Sequence, residues 1–167
     1  TSYMPDRNDS TSILSNFIFS IIADKEGQIW IGTRNGLVLF DVSSNSFTQY
    51  CHNKKLPLEL CTTLARRLCL DKNGNLWVGT DGRGLYKLIE KKDGWYVNHF
   101  QMSDSKGISS NNILSLSCDR KGNLWAGTEN GGLSVLPYNS AEFINYKVEE
   151  GNFQSISSNS IWSRSEE

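Results

Sequence analysis

The sequence predicts an all-β protein made of repeated four-stranded antiparallel sheets. Two observations predict this fold class: a ten-residue string recurs three times at spacings of 47 and 48 residues, and short apolar runs surround each copy. The 167 residues include 14 glycines and 3 prolines, a composition typical of short strands joined by many turns. A period in the forties with several short strands indicates β-propeller blades. We therefore expect about three blades, which together make an incomplete propeller.

The repeated string has the form Asp-x-x-Gly-x-x-Trp-x-Gly-Thr and covers 24–33, 71–80 and 119–128, with a Gly-Leu pair after each copy. Strand a of the first unit carries apolar residues of both parities, so we expect neighbouring blades to cover both of its faces. The predicted strands of this unit are a at Phe17–Ala23, b at Gln28–Thr33, c at Leu37–Asp41 and d at Phe47–Tyr50.

Residues that recur in every unit are expected to have structural roles, since a catalytic group is normally unique to one unit. The tryptophan is predicted to fill the space between blades, and the glycine two residues later leaves room beside it. The aspartate is predicted to accept hydrogen bonds from backbone N–H groups of its turn. The repeated set is Asp24, Trp30, Gly32, Asp71, Trp77, Gly79, Asp119, Trp125 and Gly127.

The two ends of the chain match each other at an offset of three repeats, because Tyr3 and Asn16 have the same spacing as Tyr146 and Asn159. We therefore expect the chain to begin late in one repeat and to end early in another. The predicted segments are the end of a preceding blade with its link (1–16), blade 1 (17–50), blade 2 with its leading link (51–100), blade 3 with its leading link (101–146), and a link with the truncated start of a fourth blade (147–167).

The second unit departs from the pattern. Leu60, Leu64 and Leu68 have helical spacing, which taken alone predicts an amphipathic helix over 58–70, whereas register with the other units favours a strand at 65–70. Arg66 and Arg67 then lie in an inner strand, where charge is rarely buried without a partner. Two interpretations follow: a strand-end pair that reaches solvent or a neighbouring carboxylate, or an anion contact that faces the central channel.

The loops between strands b and c are predicted to form a binding face. In an antiparallel blade of four strands, the b–c loop lies at the same end as the connection from strand d to the next blade. These loops differ between units while the strands do not, which is typical of a binding face on a rigid frame, and their polar side chains suit a hydroxyl-rich ligand. With the arginine pair, the candidate ligand-binding residues are Arg34, Asn35, Arg66, Arg67, Asp81, Arg83, Glu129 and Asn130.

Composition argues against several other functions. The net charge of −1 lacks the basic surplus of a nucleic-acid-binding surface, and no run approaches the roughly 18 apolar residues of a membrane helix. The four cysteines form no CxxC pair and lie near no histidine at zinc spacing, so we predict no metal or cofactor and free, mostly buried thiols. No catalytic residue is predicted. Trp95 and Trp162 lie outside the repeated position, and packing against outer strands is favoured over a stacking role for them.

The third unit has the fullest form of a known repeat. Ser-Asn-Asn-Ile at 110–113, the string at 119–128 and Gly-Gly-Leu at 131–133 together resemble the two-component regulator propeller repeat. The resemblance covers essentially the whole chain. It is weakest in the second unit, where Cys-Thr-Thr-Leu at 61–64 replaces the first segment.

This resemblance implies the periplasmic sensor region of a hybrid two-component histidine kinase of the Bacteroidetes. Such regions typically sense oligosaccharides and regulate genes for glycan utilisation. The implied partners are an oligosaccharide or other small ligand and further propeller blades of the same chain. The chain itself would then have no enzymatic activity.

Two alternatives remain open at this point. The first is the propeller of a quinone-dependent dehydrogenase, whose docking motif is imitated once by Ala23-Asp24 and Gly27-x-x-Trp30. The second is a scaffold propeller that binds other proteins. In each case three blades cannot close a ring, so we expect exposed apolar blade faces and self-association of the chain.

Overall fold

The computed structural model of the protein describes residues 2–6, 8–49 and 56–162. Within them the strands form three four-stranded antiparallel sheets, each with its strands in chain order. Blade 1 consists of β1 (Ile18–Ala23), β2 (Ile29–Thr33), β3 (Gly36–Asp41) and β4 (Ser46–Gln49). A short helix, α1 (Leu58–Thr62), precedes blade 2, which consists of β5 (Ala65–Leu70), β6 (Leu76–Thr80), β7 (Leu85–Lys91) and β8 (Gly94–Phe100). Blade 3 consists of β9 (Ile113–Cys118), β10 (Leu124–Thr128), β11 (Leu133–Leu136) and β12 (Ile144–Tyr146).

The all-β prediction is confirmed, and the predicted strands of the first unit agree with the structure to within one residue at each described end. Tyr50, the predicted end of strand d, lies outside the described residues. Propensity alone does not place these boundaries. The turns between strands a and b contain glycines at positive φ, such as Gly27 at 80° and Gly74 at 83°. Any other residue would be strained at these positions, so the glycines determine where the strands end.

The ambiguous segment of the second unit contains both predicted structures. Leu60 is fully buried on α1, and Leu68 is buried on β5. The helix stops at Thr63, whose φ of −99° and ψ of 141° are extended. The strand predicted from the repeat register is therefore confirmed at 65–70, and the helical spacing holds only for the five residues of α1.

The repeated glycine lies where two blades meet. A Cβ atom on Gly32 would lie 2.5 Å from the Ala65 carbonyl oxygen, and one on Gly79 would lie 2.6 Å from Cγ2 of Ile113. Both contacts are with the first strand of the following blade, so the missing side chain lets the blades approach closely. The space predicted beside the tryptophan is thus occupied by backbone and side chains of the next blade.

The repeated aspartate and tryptophan are hydrogen-bonded to each other within each unit. Oδ1 of Asp71 accepts hydrogen bonds from the backbone N–H groups of Asn73 and Asn75, while its Oδ2 accepts one from Nε1 of Trp77 at 3.3 Å. The bond from Nε1 of Trp125 to Asp119 is 3.0 Å long, and the hydrogen bonds from Trp125 and Asn123 lower the pKa of Asp119 to about 2. One carboxylate therefore holds both the turn and the indole ring.

The exposure of the repeated tryptophan depends on whether another described blade follows it. Trp30 and Trp77 are each 2% exposed, whereas Trp125 is 38% exposed. Trp95 contacts Trp30 edge-on across the first blade interface, with ring centroids 5.5 Å apart. Trp162, in contrast, is 60% exposed.

The prediction that strand a is covered on both faces is wrong for blade 1. Phe19 and Ile21 on β1 are exposed, because blade 2 packs against one side of blade 1 and no described blade packs against the other. The prediction fits blade 2, where Leu68 and Cys69 have opposite parity and both are buried. Coverage therefore depends on a strand's place in the stack.

The prediction of free thiols is wrong for two of the four cysteines. Cys69 on β5 and Cys118 on β9 form a disulfide, with their Cα atoms 6.4 Å apart. Cys69 is two residues before the repeated aspartate of its unit and Cys118 is one residue before. This difference in parity turns the two side chains toward each other across neighbouring blades. Cys51 and the Cys61 side chain lie outside the described part of the chain.

Tyr86 provides a test of the packing between blades 1 and 2. It is 2% exposed, and its hydroxyl has no hydrogen-bond partner among the described residues. Burial raises the pKa of Tyr86. Phenylalanine keeps the ring and removes the unpaired oxygen, so Tyr86→Phe is expected to raise the free energy of unfolding by about 1 kcal/mol in urea titrations.

The matched control for this substitution is Tyr96→Phe. The exposed Tyr96 hydroxyl donates a hydrogen bond to Asp93 at 2.7 Å, so its removal is expected to change stability by no more than about 0.5 kcal/mol and not to increase it. A loss of stability in Tyr86→Phe would contradict the prediction.

Candidate ligand-binding face

The loops between strands b and c lie at the same end of the sheets as the links that enter each blade. Backbone hydrogen bonds show this directly, because one N–H of each b–c loop donates to a carbonyl oxygen of the entry link. The three pairs are Arg34 with Phe17, Asp81 with Leu64 at 3.2 Å, and Glu129 with Asn112 at 3.0 Å. The b–c loops and the entry links therefore lie together at one end of the blades. We call this end the b–c face.

The loop of blade 2 is fixed from several directions. Gly82 and Gly84 have φ values of 86° and 77°, which let the chain turn sharply. The N–H of Gly84 donates to the Asn111 carbonyl, which belongs to the entry of blade 3, at 2.8 Å. This loop is thus tied to the links before and after its own blade, so its side chains project from a constrained backbone.

A cleft of about 380 Å³ opens on this face between blades 1 and 2. The b–c loops of both blades and the link after α1 contribute to it. Its lining residues are Arg34, Thr62, Thr63, Leu64, Asp81, Gly82 and Arg83. The structure therefore brings together three of the predicted residues, Arg34, Asp81 and Arg83.

The adjacent arginines of β5 lie beside this cleft and make contacts within the protein. Arg66 forms an ion pair with Asp81, with Nη2 of Arg66 2.8 Å from Oδ2 of Asp81. The Arg67 guanidinium donates to the Arg66 carbonyl oxygen at 2.9 Å. Burial and the neighbouring Arg66 charge lower the pKa of Arg67. The contact of Arg66 is thus with a neighbouring carboxylate, as the first of the two interpretations expects.

The other predicted residues do not line this cleft. The Asn35 amide donates to the Leu14 carbonyl oxygen at 3.3 Å. On blade 3 the Glu129 carboxylate accepts a hydrogen bond from the Asn112 amide at 2.6 Å, and Asn130 is hydrogen-bonded to Ser160. These contacts connect the b–c loops to the entry links.

Several residues in the cleft lining or beside it were not among the predicted site residues. Thr62, Thr63 and Leu64 come from the link of the second unit, whose departure from the repeat pattern was the available signal. Phe17 is 59% exposed, and the Arg34 guanidinium lies over its ring at 5.4 Å from the centroid. The apolar pattern of strand a predicts a core position for Phe17, so its exposure was not predictable.

Two further properties concern the described part of the chain alone. It contains no group of three or more His, Cys, Asp or Glu residues arranged to hold a metal ion. None of its helices has the length and apolar character needed to cross a membrane.

Comparison with solved structures identifies relatives of this fold. The chain is 29% identical to the extracellular domain of the hybrid two-component system BT4673 from B. thetaiotaomicron, with a TM-score of 0.71 over 91% of this chain and 19% of that one. The corresponding domain of BT3049 from the same organism is 24% identical, with a TM-score of 0.67 over 86% of this chain and 18% of that one. The second likeness concerns the fold alone.

Sequence comparison agrees with the structural one. The chain is 34% identical over 92 residues to histidine kinase P4 of Formosa agariphila, a match that spans 53% of this chain and 7% of that protein. The chain thus resembles sensor domains of hybrid two-component systems and corresponds to a small part of the relative's length. The model of the two-component regulator propeller matches residues 12–35, 60–82 and 107–130, one segment in each unit. These three registered matches identify the repeat as the two-component regulator propeller repeat.

Proposed function

We propose that the chain belongs to the periplasmic sensor region of a hybrid two-component histidine kinase, and that its b–c face binds an oligosaccharide that regulates glycan-utilisation genes. The cleft formed jointly by blades 1 and 2 carries this proposal. Its polar side chains are suited to a hydroxyl-rich ligand, and its volume is in the range of small-molecule sites.

The position of the cleft connects binding with signalling. Arg34 is on one blade while Asp81 and Arg83 are on the next, so a bound ligand contacts both blades at once. A ligand shifts a conformational equilibrium only through its different affinities for the two states. A site shared by two blades supplies such a difference when the packing between them changes.

Isothermal titration calorimetry tests the binding proposal. The probes are three acidic trisaccharides, built from galacturonate, mannuronate or glucuronate, and the neutral methyl ester of each. We expect saturable binding of at least one probe. Phe17→Ala is expected to weaken that binding about tenfold because it removes the exposed ring beside Arg34.

The control is Phe153→Ala, which removes a still more exposed ring from the link that follows blade 3. It is expected to bind as the unaltered chain does. If none of the six probes binds, or if both variants lose binding equally, the proposed site is wrong.

The location and the neighbouring parts of the protein are also proposed. The disulfide between Cys69 and Cys118 fits an oxidising compartment such as the periplasm.

We assign the blades to 17–50, 51–100 and 101–146, and we propose that further blades cover the exposed side of β1 and the face that carries Trp125. In the chain alone these apolar faces are expected to associate. Sedimentation velocity that shows only single chains at high concentration would contradict this.

A further inference from the structure

We propose that the cleft between blades 1 and 2 selects an acidic oligosaccharide, whose carboxylate or sulfate group lies between the guanidinium groups of Arg34 and Arg83. This inference rests on the proposed function and adds the chemical class of the ligand. The pairing of charges at the cleft carries it.

Asp81 is the carboxylate that lines the cleft, and it is already paired. Arg66, which lies outside the lining, forms the 2.8 Å ion pair with Asp81. The negative charge that would attract a cation or repel an acidic sugar is therefore neutralised by an arginine of the protein itself. Two positive charges remain on the lining.

Those two charges belong to Arg34 and Arg83, which are both exposed. Among the described residues, no carboxylate oxygen lies within 4.0 Å of either guanidinium group. The arginine that does form an ion pair in this part of the chain is Arg66. Arg34 instead lies over the ring of Phe17. Arginine binds carboxylate and sulfate oxygens through two parallel N–H donors, so these groups suit an acidic ligand better than a neutral one.

The surroundings add to the local positive potential. Arg67 lies next to Arg66 on β5, with its guanidinium on the Arg66 carbonyl oxygen. The whole chain has a net charge of −1, so the excess of arginine here is a property of this surface and not of the composition. Thr62 and Thr63 contribute hydroxyl groups to the same lining, and these suit the sugar hydroxyls around an acidic group.

The test compares each acidic trisaccharide with its methyl ester, since the two forms differ in charge and very little in shape. We expect the acidic form to bind at least tenfold more tightly at 50 mM salt. We expect that preference to shrink when salt rises to 500 mM, because salt screens exposed charges. The double variant R34Q/R83Q is expected to bind both forms within about twofold of each other.

The control variant is Arg120→Gln, which removes an exposed arginine from the turn between strands a and b of blade 3. It is expected to keep the acidic preference. Circular dichroism of each variant establishes that it is folded. Equal affinity for the acidic and esterified forms would overturn this inference and leave the proposed oligosaccharide site intact. An acidic preference that survives in R34Q/R83Q would overturn the assignment to this cleft, and no binding of any probe would overturn both proposals.

Discussion

Trp77→Ala is expected to lower the free energy of unfolding by about 3–5 kcal/mol. Trp77 is 2% exposed between blades 2 and 3, and its ring stacks on Phe100 with centroids 5.5 Å apart. Alanine would leave a cavity at the interface and remove the hydrogen bond to Asp71. Urea titration followed by circular dichroism measures the loss.

The chain contains its own matched control for this substitution. Trp125 has the same position in the repeat and the same hydrogen bond to its aspartate, but it is 38% exposed. Trp125→Ala is therefore expected to cost only about 1 kcal/mol. Equal losses in the two variants would show that the role of the tryptophan lies within its own turn and not in packing between blades.

The second large effect is expected from the disulfide between Cys69 and Cys118. The bond closes a loop with a sequence separation of 49 residues, and loop closure of this length is worth about 4 kcal/mol through the entropy of the unfolded chain. Reduction by a phosphine is therefore expected to move the urea midpoint to a much lower concentration.

The double variant Cys69→Ser/Cys118→Ser separates this bond from other effects of reductant. It is expected to have the lower midpoint already and to show no further shift when reductant is added. An unaltered midpoint in the reduced natural sequence would contradict the prediction. So would a double variant that still responds to reductant.

The repeat made most of the fold predictable from the sequence. Three aligned copies of one string fix the register of strands a and b, and this register identified the strand at 65–70 despite the helical spacing of its leucines. The helical spacing of the leucines predicted the start of α1 at Leu58 but not its early end at Thr62, where the strand register of the repeat takes over. The helix depends on Leu60, which is buried against both blades.

The candidate site was less predictable, because its geometry depends on contacts between units. The sequence identified Arg34, Asp81 and Arg83 as loop residues but gave no indication that they line one cleft. It left the partner of Arg66 open, and the ion pair with Asp81 depends on the pairing of β5 with β6. The disulfide was missed for the same reason, since Cys69 and Cys118 are neighbours only after two blades stack.

Hydrogen exchange, measured with and without the acidic trisaccharide that binds most tightly, locates the ligand on one end of the stacked blades. We expect slower amide exchange at 34–36, 62–64 and 81–84, which are the loops and the link around the cleft. We expect unchanged exchange in the turns at 24–28, 71–75 and 119–123, which lie at the opposite end of the strands. Protection confined to those turns, or spread evenly over both ends, would contradict the claim that the b–c face is the sensing surface.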